Sequence, residues 1–314
     1  VSFMLSACNF YMPIFEEALD AYGLPLELRY LPIIESALNP SAVSRAGASG
    51  LWQFMIGTGK IYGLESNSLV DERRDPIKAT WAAARYLKEM YDIYGDWNLV
   101  IAAYNCGPGT INKAIRRANG ETDYWKIYNY LPKETRGYVP AFIAANYVMT
   151  YYCDHNICPM ETNIPASTDT VQVNKNLHFE QIADLCNVPL DQIKSLNPQY
   201  KKQMIPGDSK PYTLRLPIDA ISTFIDKQDT IYTHRADELF RNRKTVAVKD
   251  ITPATRKTTS AVAGKGNLTY YTIKSGDTLS TIARKYGVTI KDIQRWNGMS
   301  STKIAAGKRL KIYK

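Results

Sequence analysis

Histidine is scarce in this chain of 314 residues: there are three, beside five cysteines. So few imidazoles make a zinc site an unfavoured reading, and no metal or cofactor is expected. The odd cysteine count leaves at least one thiol free or paired between chains. Cys153 and Cys158 could close a small disulfide loop, and two buried thiols account for the same spacing equally well. No stretch approaches the ~20 apolar residues of a membrane-spanning helix. Val1 to Cys8 are mildly apolar but have neither a basic leader nor a long apolar core, so they do not read as an intact signal peptide. A hydrophobic fraction of 45% and a charged fraction of 22% are those of a globular protein, long enough for two or three domains.

Acidic residues are few at one end. Residues 1–160 carry 14 basic and 16 acidic side chains, and residues 161–240 carry 8 and 11. Residues 241–268 carry 7 and 1, and residues 269–314 carry 10 and 2, so the whole excess behind the net charge of +9 lies at the C-terminus. Such asymmetry suits an anionic polymer as partner, and on charge alone nucleic acid, anionic lipid and cell-wall polymer all qualify.

The first 160 residues read as helical. Asp75-Pro76 is an N-cap with proline at the first helical position, apolar residues recur at Ala79, Ala83, Leu87, Met90 and Tyr94, and Gly95 closes the segment. A helix from Trp97 to Tyr104 should stop at Asn105-Cys106-Gly107-Pro108-Gly109, another should start near Thr110, and another should cover Glu134 to Tyr151. Pro13 to Tyr22 and Leu26 to Glu35 are also expected helices, the second kinked by Pro32. Further on, residues 173–197 align with 273–297 without a gap, pairing Ile182, Ala183, Val188, Ile193 and Asn197 with Ile282, Ala283, Val288, Ile293 and Asn297. Each copy reads as strand, helix, helix, strand. In the second, these are Tyr270–Ile273, Leu279–Tyr286, Ile290–Trp296 and Arg309–Tyr313. The expected domains are 1–160, 165–225 and 269–314, with 226–268 as a basic flexible linker.

Glu35 carries the chemistry. It ends the apolar run Leu31-Pro32-Ile33-Ile34, where desolvation would raise its pKa toward the range a general acid needs. An isolated glutamate there would ordinarily be a helix-surface residue. Three further segments follow: Gly50-Leu51-Trp52-Gln53-Phe54, Ala103-Tyr104-Asn105-Cys106-Gly107 and Glu134-Thr135-Arg136-Gly137-Tyr138-Val139. In this order and spacing the four segments resemble the soluble lytic transglycosylase catalytic domains, over about residues 10–150. The second copy of the repeat, with Tyr271-Thr272-Ile273-Lys274-Ser275-Gly276-Asp277-Thr278-Leu279, Tyr286-Gly287-Val288 and Trp296-Asn297, resembles a LysM peptidoglycan-binding module. The first copy has Asn176-Leu177-His178 where the second has Gly276-Asp277-Thr278, so its fold is expected to survive and its glycan affinity is in doubt. The whole is similar to the membrane-bound lytic murein transglycosylase D group.

The resemblance implies a mainly α lysozyme-like catalytic domain plus small α+β (βααβ) LysM modules. It implies cleavage of the β-1,4 bond from N-acetylmuramic acid to N-acetylglucosamine, with closure to a 1,6-anhydro sugar and Glu35 as the single acid and base. Ser44 would contact the substrate N-acetyl group, and Gln53 and Met55 would line the cleft. Tyr104 would orient the N-acetyl group or Glu35, Asn105 would shape the same loop, and Glu134 and Tyr138 would bind glycan or support Glu35. Core packing for the two tyrosines and turn formation for Asn105 remain alternatives, while Gly47, Gly50 and Gly107 read as turn residues. In the LysM module, Gly276, Asp277, Thr278, Leu279, Ile304 and Ala305 would contact glycan. Trp52 stands where the family usually has methionine, and Cys106 where alanine is common. The expected partner is the peptidoglycan glycan strand, not nucleic acid. The expected location is the cell envelope, in the periplasm or at the outer membrane, and the resemblance admits peripheral or lipid-anchored attachment. The rivals are a hydrolytic muramidase, which needs a second carboxylate with Asp71, Asp75 and Asp96 as candidates by type, and a non-catalytic wall-binding protein.

Overall fold

In the computed structural model, residues 1–162, 164–165, 167–240, 268–274, 277–297, 299, 304 and 307–313 are described. Those up to 240 belong to one unit and those from 268 to another. The first unit opens with α1 (Ser2–Ala21), a 3-10 turn (Leu26–Tyr30), α2 (Leu31–Ser36) and α3 (Ile56–Ile61). Then come a short 3-10 turn (Glu72–Arg74), α4 (Pro76–Tyr94), α5 (Trp97–Cys106), α6 (Pro108–Arg117), α7 (Tyr124–Ile127) and α8 (Lys133–Thr150). The helical reading of this part holds. Asp75 caps α4 by accepting from the amides of Ile77 and Lys78, and Gly95 ends it at φ 62°.

Three boundaries differ from expectation. Helix α1 runs straight through Pro13 rather than starting there. The segment before Glu35 is not one kinked helix: the chain changes from 3-10 to α at Leu31, so Pro32 falls in the first turn of α2, where its missing N–H is harmless. Helix α5 extends through Asn105 and Cys106, and the break is at Gly107.

Helix α5 is the axis of this core. Leu99 through Ala103 are all buried, and α4, which packs against it, buries Ala79, Ala82, Ala83, Ala84 and Leu87. Small side chains on α4 let the two backbones come close. Trp52 is fully buried, edge-on to Phe15 at 5.3 Å, with its indole Nε1 donating to Thr80 Oγ1 at 2.9 Å. It anchors the loop that precedes α3 to this core. Cys153 and Cys158 are exposed free thiols, neither bridged nor buried.

The repeat is realised as expected in its helices. In the first copy β1 (Thr168–Val173), β2 (Asn176–His178), α9 (Phe179–Cys186), α10 (Leu190–Leu196), β3 (Met204–Pro206) and β4 (Tyr212–Pro217) follow in order. In the second, β5 (Leu268–Thr272), α14 (Leu279–Tyr286), α15 (Ile290–Trp296) and β6 (Arg309–Tyr313) do so. Strands β1 and β4 pair antiparallel with Val173 opposite Tyr212, and β5 and β6 with Thr272 opposite Arg309. Asn197 explains one matched position. Its Nδ2 donates to the carbonyls of Ile193 and Arg215 at 2.9 and 2.7 Å, and its Oδ1 accepts from the Arg215 amide at 2.8 Å. Asn297 does the same with Ile293 and Lys311 at 2.8, 2.9 and 2.7 Å. The amide side chain thus buckles the second helix to the last strand in both copies.

The linker begins later than expected. Residues 218–239 form α11 (Ile218–Asp226), α12 (Gln228–Thr233) and α13 (Ala236–Leu239), and Phe224 and Ile231 are buried in the core of the first module. These apolar side chains, one on each of α11 and α12, need a partner surface, which α9 supplies. Residues 241–267, the basic part of the expected linker, lie outside the described residues. No helix of the described residues is long and apolar enough to cross a membrane.

Candidate active site

Glu35 lies near the end of α2, a helix of six residues whose Leu31 and Pro32 are buried while Ile33 and Ile34 pack on the core. Two residues past it the chain reverses through consecutive left-handed conformations, Ala37 at φ 51° and Leu38 at φ 59°. Neither residue is glycine, so the turn is strained and the surrounding contacts must hold it. Ser36 supplies one of them, donating from Oγ to the Leu51 carbonyl at 2.9 Å and tying α2 to the loop before α3.

Two tyrosines complete the setting. Tyr138, on the first half of α8, donates its hydroxyl to Glu35 Oε1. Tyr104, near the end of α5, donates to the Trp52 carbonyl at 2.7 Å and lies close enough to Glu35 for the carboxylate's charge to raise the Tyr104 pKa. Burial drives the Glu35 pKa up from 4.5 to about 7; the Tyr138 bond opposes the rise, and the charge of Glu134 adds to it. Both tyrosine hydroxyls are pushed well above their ordinary range by burial first and by the neighbouring carboxylate second, so they remain donors at neutral pH. These residues are half-buried rather than part of the closed core, and each hydroxyl has a defined partner.

The loop from Ala42 to Met55 faces this helix end. Its tip is a turn in which the Ser44 amide donates to the Ala48 carbonyl at 2.9 Å and Ser44 Oγ accepts from the Ala48 amide at 3.0 Å. Ser44 is exposed, and so is Met55 at 44%. Gln53 sits at φ 48° with its amide donating to the carbonyls of Gly50 and Ala42 at 2.8 and 3.3 Å, so its nitrogen is engaged within the loop. Asn105 is helical, and its Oδ1 accepts from Thr135 Oγ1 at 2.9 Å, joining the end of α5 to the first turn of α8 beside exposed Glu134. Glu35, Tyr104, Tyr138 and Glu134 therefore converge, and Ser44, Gln53 and Met55 share one loop. Burial raises the Cys106 pKa, which leaves it a poor nucleophile at neutral pH.

The three aspartates considered as a second catalytic carboxylate are occupied elsewhere. Asp75 is the N-cap of α4, and Asp96 caps α5 by accepting from the Leu99 amide at 2.8 Å. Asp71 forms a buried bidentate pair with Arg73, both bonds at 2.8 Å. The carboxylate whose charge reaches Glu35 is Glu134.

That pair is the site feature the sequence did not disclose. Arg73 also donates to the carbonyls of Gly47 and Phe54 at 2.8 and 2.9 Å, so one guanidinium holds both limbs of the loop. A run such as Asp71-Glu72-Arg73-Arg74-Asp75 ordinarily reads as a solvated surface, since buried charges of this kind are rare.

In the second module, Asp277 is hydrogen-bonded within the module: its Oδ2 accepts from the Lys274 amide and the Tyr271 hydroxyl, each at 2.8 Å, and these bonds lower its pKa. Thr278 is exposed at the start of α14. Leu279 requires a correction, because its side chain is 2% exposed and belongs to the apolar core with Ile282 and Ile293. Ile304 also packs on that core. Gly276 and Ala305 lie outside the described residues.

Comparison with known proteins gives three matched regions. Residues 12–127 match the transglycosylase SLT domain, 167–233 the LysM-like domain of lytic transglycosylase MltD, and 271–312 the LysM domain. The membrane-bound lytic murein transglycosylase D of Escherichia coli is 33% identical over 92% of this chain, which spans 60% of that protein's length. The soluble lytic murein transglycosylase of the same organism is 33% identical over 38% of this chain and 19% of its own. A crystal structure of the 70 kDa soluble lytic transglycosylase of Escherichia coli is 29% identical and covers 46% of this chain and 24% of that one, with a TM-score of 0.40.

Proposed function

The chain belongs to the SLT-domain lytic murein transglycosylases with C-terminal LysM modules, and from that premise we propose that it cleaves peptidoglycan glycan strands without consuming water. The observation that carries this reading is the setting of Glu35, a half-buried carboxyl with a tyrosine hydroxyl on one oxygen, where burial pushes the pKa up to about 7. Such a group is protonated often enough to donate to the glycosidic oxygen and ionised often enough to take a proton back. Glu35 protonates the leaving oxygen between N-acetylmuramic acid and N-acetylglucosamine. The substrate N-acetyl group stabilises the cation that develops at C1. Glu35, now a carboxylate, accepts the proton of the C6 hydroxyl as that oxygen bonds to C1, giving the 1,6-anhydro product.

Ser44, Gln53 and Met55 line the glycan cleft in this proposal, Tyr104 and Tyr138 orient the carboxyl, and Asn105 holds α5 to α8. Glu134, exposed beside the site, binds glycan. The second module binds the wall through the backbone and polar groups of Gly276, Asp277, Thr278 and Ala305, and it raises the local substrate concentration for the linked catalytic domain. Its surplus of basic residues suits an anionic wall. A cell-envelope location, periplasmic or at the outer membrane and with membrane attachment, follows from the same reading.

The test is mass spectrometry of the soluble products released from purified peptidoglycan. Anhydro-terminated muropeptides, about one water lighter than reducing-end products, are expected. Reducing ends would make the protein a hydrolase and put Glu134 forward as the second carboxylate; no product would leave a wall-binding protein.

Tyr138→Phe supplies a second check. The lost hydroxyl stabilised the ionised carboxyl, so the Glu35 pKa rises above about 7 and the high-pH limb of kcat/KM moves up by about one unit. An unmoved limb would detach that titration from Glu35.

A further inference from the structure

The first module is built differently from the second at the place where the second is expected to hold glycan. Leu177 stands at the position of Asp277, and its side chain is fully buried. Around it, β2 and β3 form an additional antiparallel pair with Leu177 opposite Ile205. The second copy has no counterpart of this pair among the described residues.

The surface next to that pair is attached to the catalytic domain. Leu69 and Val70, from the segment before α4, are buried in the core of the first module. Val70 bridges to Tyr200, the Asp71 amide donates to the Gln199 carbonyl at 2.9 Å, and the Lys201 amide donates to the Leu69 carbonyl at 2.8 Å. Lys201 Nζ reaches the Asn67 carbonyl at 2.7 Å. Glu65 receives the Tyr212 hydroxyl at 3.2 Å and pairs with Lys210 at 2.7 Å. Residues 65–71 thus behave as an added strand and turn of the module, although they belong to the helical domain by sequence.

The same segment ends at the Asp71–Arg73 pair, whose guanidinium holds the carbonyls of Gly47 and Phe54. Arg74 adds a bond from Nε to Ser49 Oγ at 3.1 Å. A continuous set of hydrogen bonds therefore runs from Tyr200 and Lys201 through Asp71 to the loop that carries Ser44, Gln53 and Met55.

We propose that the first module is a positioning element of the active site: it grips residues 65–71 so that Arg73 holds the 44–54 loop in its glycan-receiving form. The degenerate repeat has exchanged wall binding for this task. The inference rests on the assignment of that loop to the glycan cleft. Lys201 and Tyr212 are positioning residues here, remote from the reacting atoms.

The test is the Lys201→Met, Tyr212→Phe double variant of the full chain, assayed on short soluble glycan fragments. KM is expected to rise about tenfold with kcat within about twofold, because the loop aligns substrate but supplies no proton. The high-pH limb should not move, and Lys201→Arg should restore part of the KM. Hydrogen exchange of the Gly47 and Ser49 amides, both bonded within the loop, should quicken in the variant. If the double variant does not fold, Lys201→Met alone carries the same measurements. Unchanged KM and unchanged loop exchange would overturn the proposal, as would a loss confined to kcat with a shifted pH limb. A parent protein that cleaves no glycan would instead overturn the functional reading, and the exchange measurement would still decide whether the module holds the loop.

Discussion

Glu35→Gln is expected to lower turnover of peptidoglycan about a thousandfold and, at the same time, to make the protein more stable above neutral pH. The two effects share one cause. In the wild-type fold the carboxyl titrates at about 7 instead of 4.5, because burial penalises its charged form. The native state therefore keeps its proton where the unfolded chain has lost it. By linkage, wild-type stability declines as pH rises from 4.5 toward about 7 and stays at the lower level above it. Glutamine has the same shape, still accepts from Tyr138 and never ionises. The stability difference between variant and wild type should be near zero at pH 4 and grow to about 3 kcal/mol by pH 8. Denaturant melts across that range, run beside the product assay, measure both. A variant that is inactive but no more stable at pH 8 would mean that the carboxyl is not held neutral by its surroundings. A variant that remains active would remove Glu35 from the reaction.

The legible parts of this molecule are those where local chemistry and tertiary structure agree. Asp75-Pro76 and Gly95 bound α4 in sequence and in space because a cap, a proline and a left-handed glycine act within one turn. The matched asparagines 197 and 297 were visible as a repeat because the same three-bond buckle is needed twice. Glu35 could be found because it ends an apolar run, and its partners because they recur in a motif order. The Asp71–Arg73 pair could not be read in this way. Its meaning depends on carbonyls at residues 47 and 54 and on a module contact beyond residue 199, none of which leaves a local signal. The structured part continues past residue 226 for a related reason. Helices α11 and α12 are short and polar on one face, and their burial depends on α9, some forty residues earlier. The motif places Leu279 at the glycan surface, yet an apolar side chain at the start of a helix in so small a module is needed for the core.

Gly50→Ala is expected to be the most damaging single substitution in the active-site loop, and Gly47→Ala is its control. Both glycines are left-handed, at φ 89° and 88°, so an alanine at either carries the same backbone strain of about 1 kcal/mol. What differs is the space. A Cβ on Gly47 meets nothing within 4 Å. A Cβ on Gly50 would lie 1.8 Å from the Arg73 carbonyl oxygen and 2.7 Å from its carbon. Those are backbone atoms of the short turn that Asp71 and Arg73 pin, so they cannot rotate away as a side chain would. To admit the methyl group, either the 50–54 loop or the Glu72–Arg74 turn must move, and with it the Arg73 bonds to Gly47 and Phe54. Breaking a buried arginine network exposes unpaired charge and carbonyls, for which losses of about 4 kcal/mol are typical. Thermal melts should therefore show Gly47→Ala close to wild type and Gly50→Ala far below it or unfolded. Glycan cleavage should follow the same order, because Gln53 and the Trp52 carbonyl that receives Tyr104 travel with Gly50. Equal effects at the two positions would mean that backbone strain alone governs this loop, and that the close approach of Gly50 to Arg73 contributes nothing to holding it.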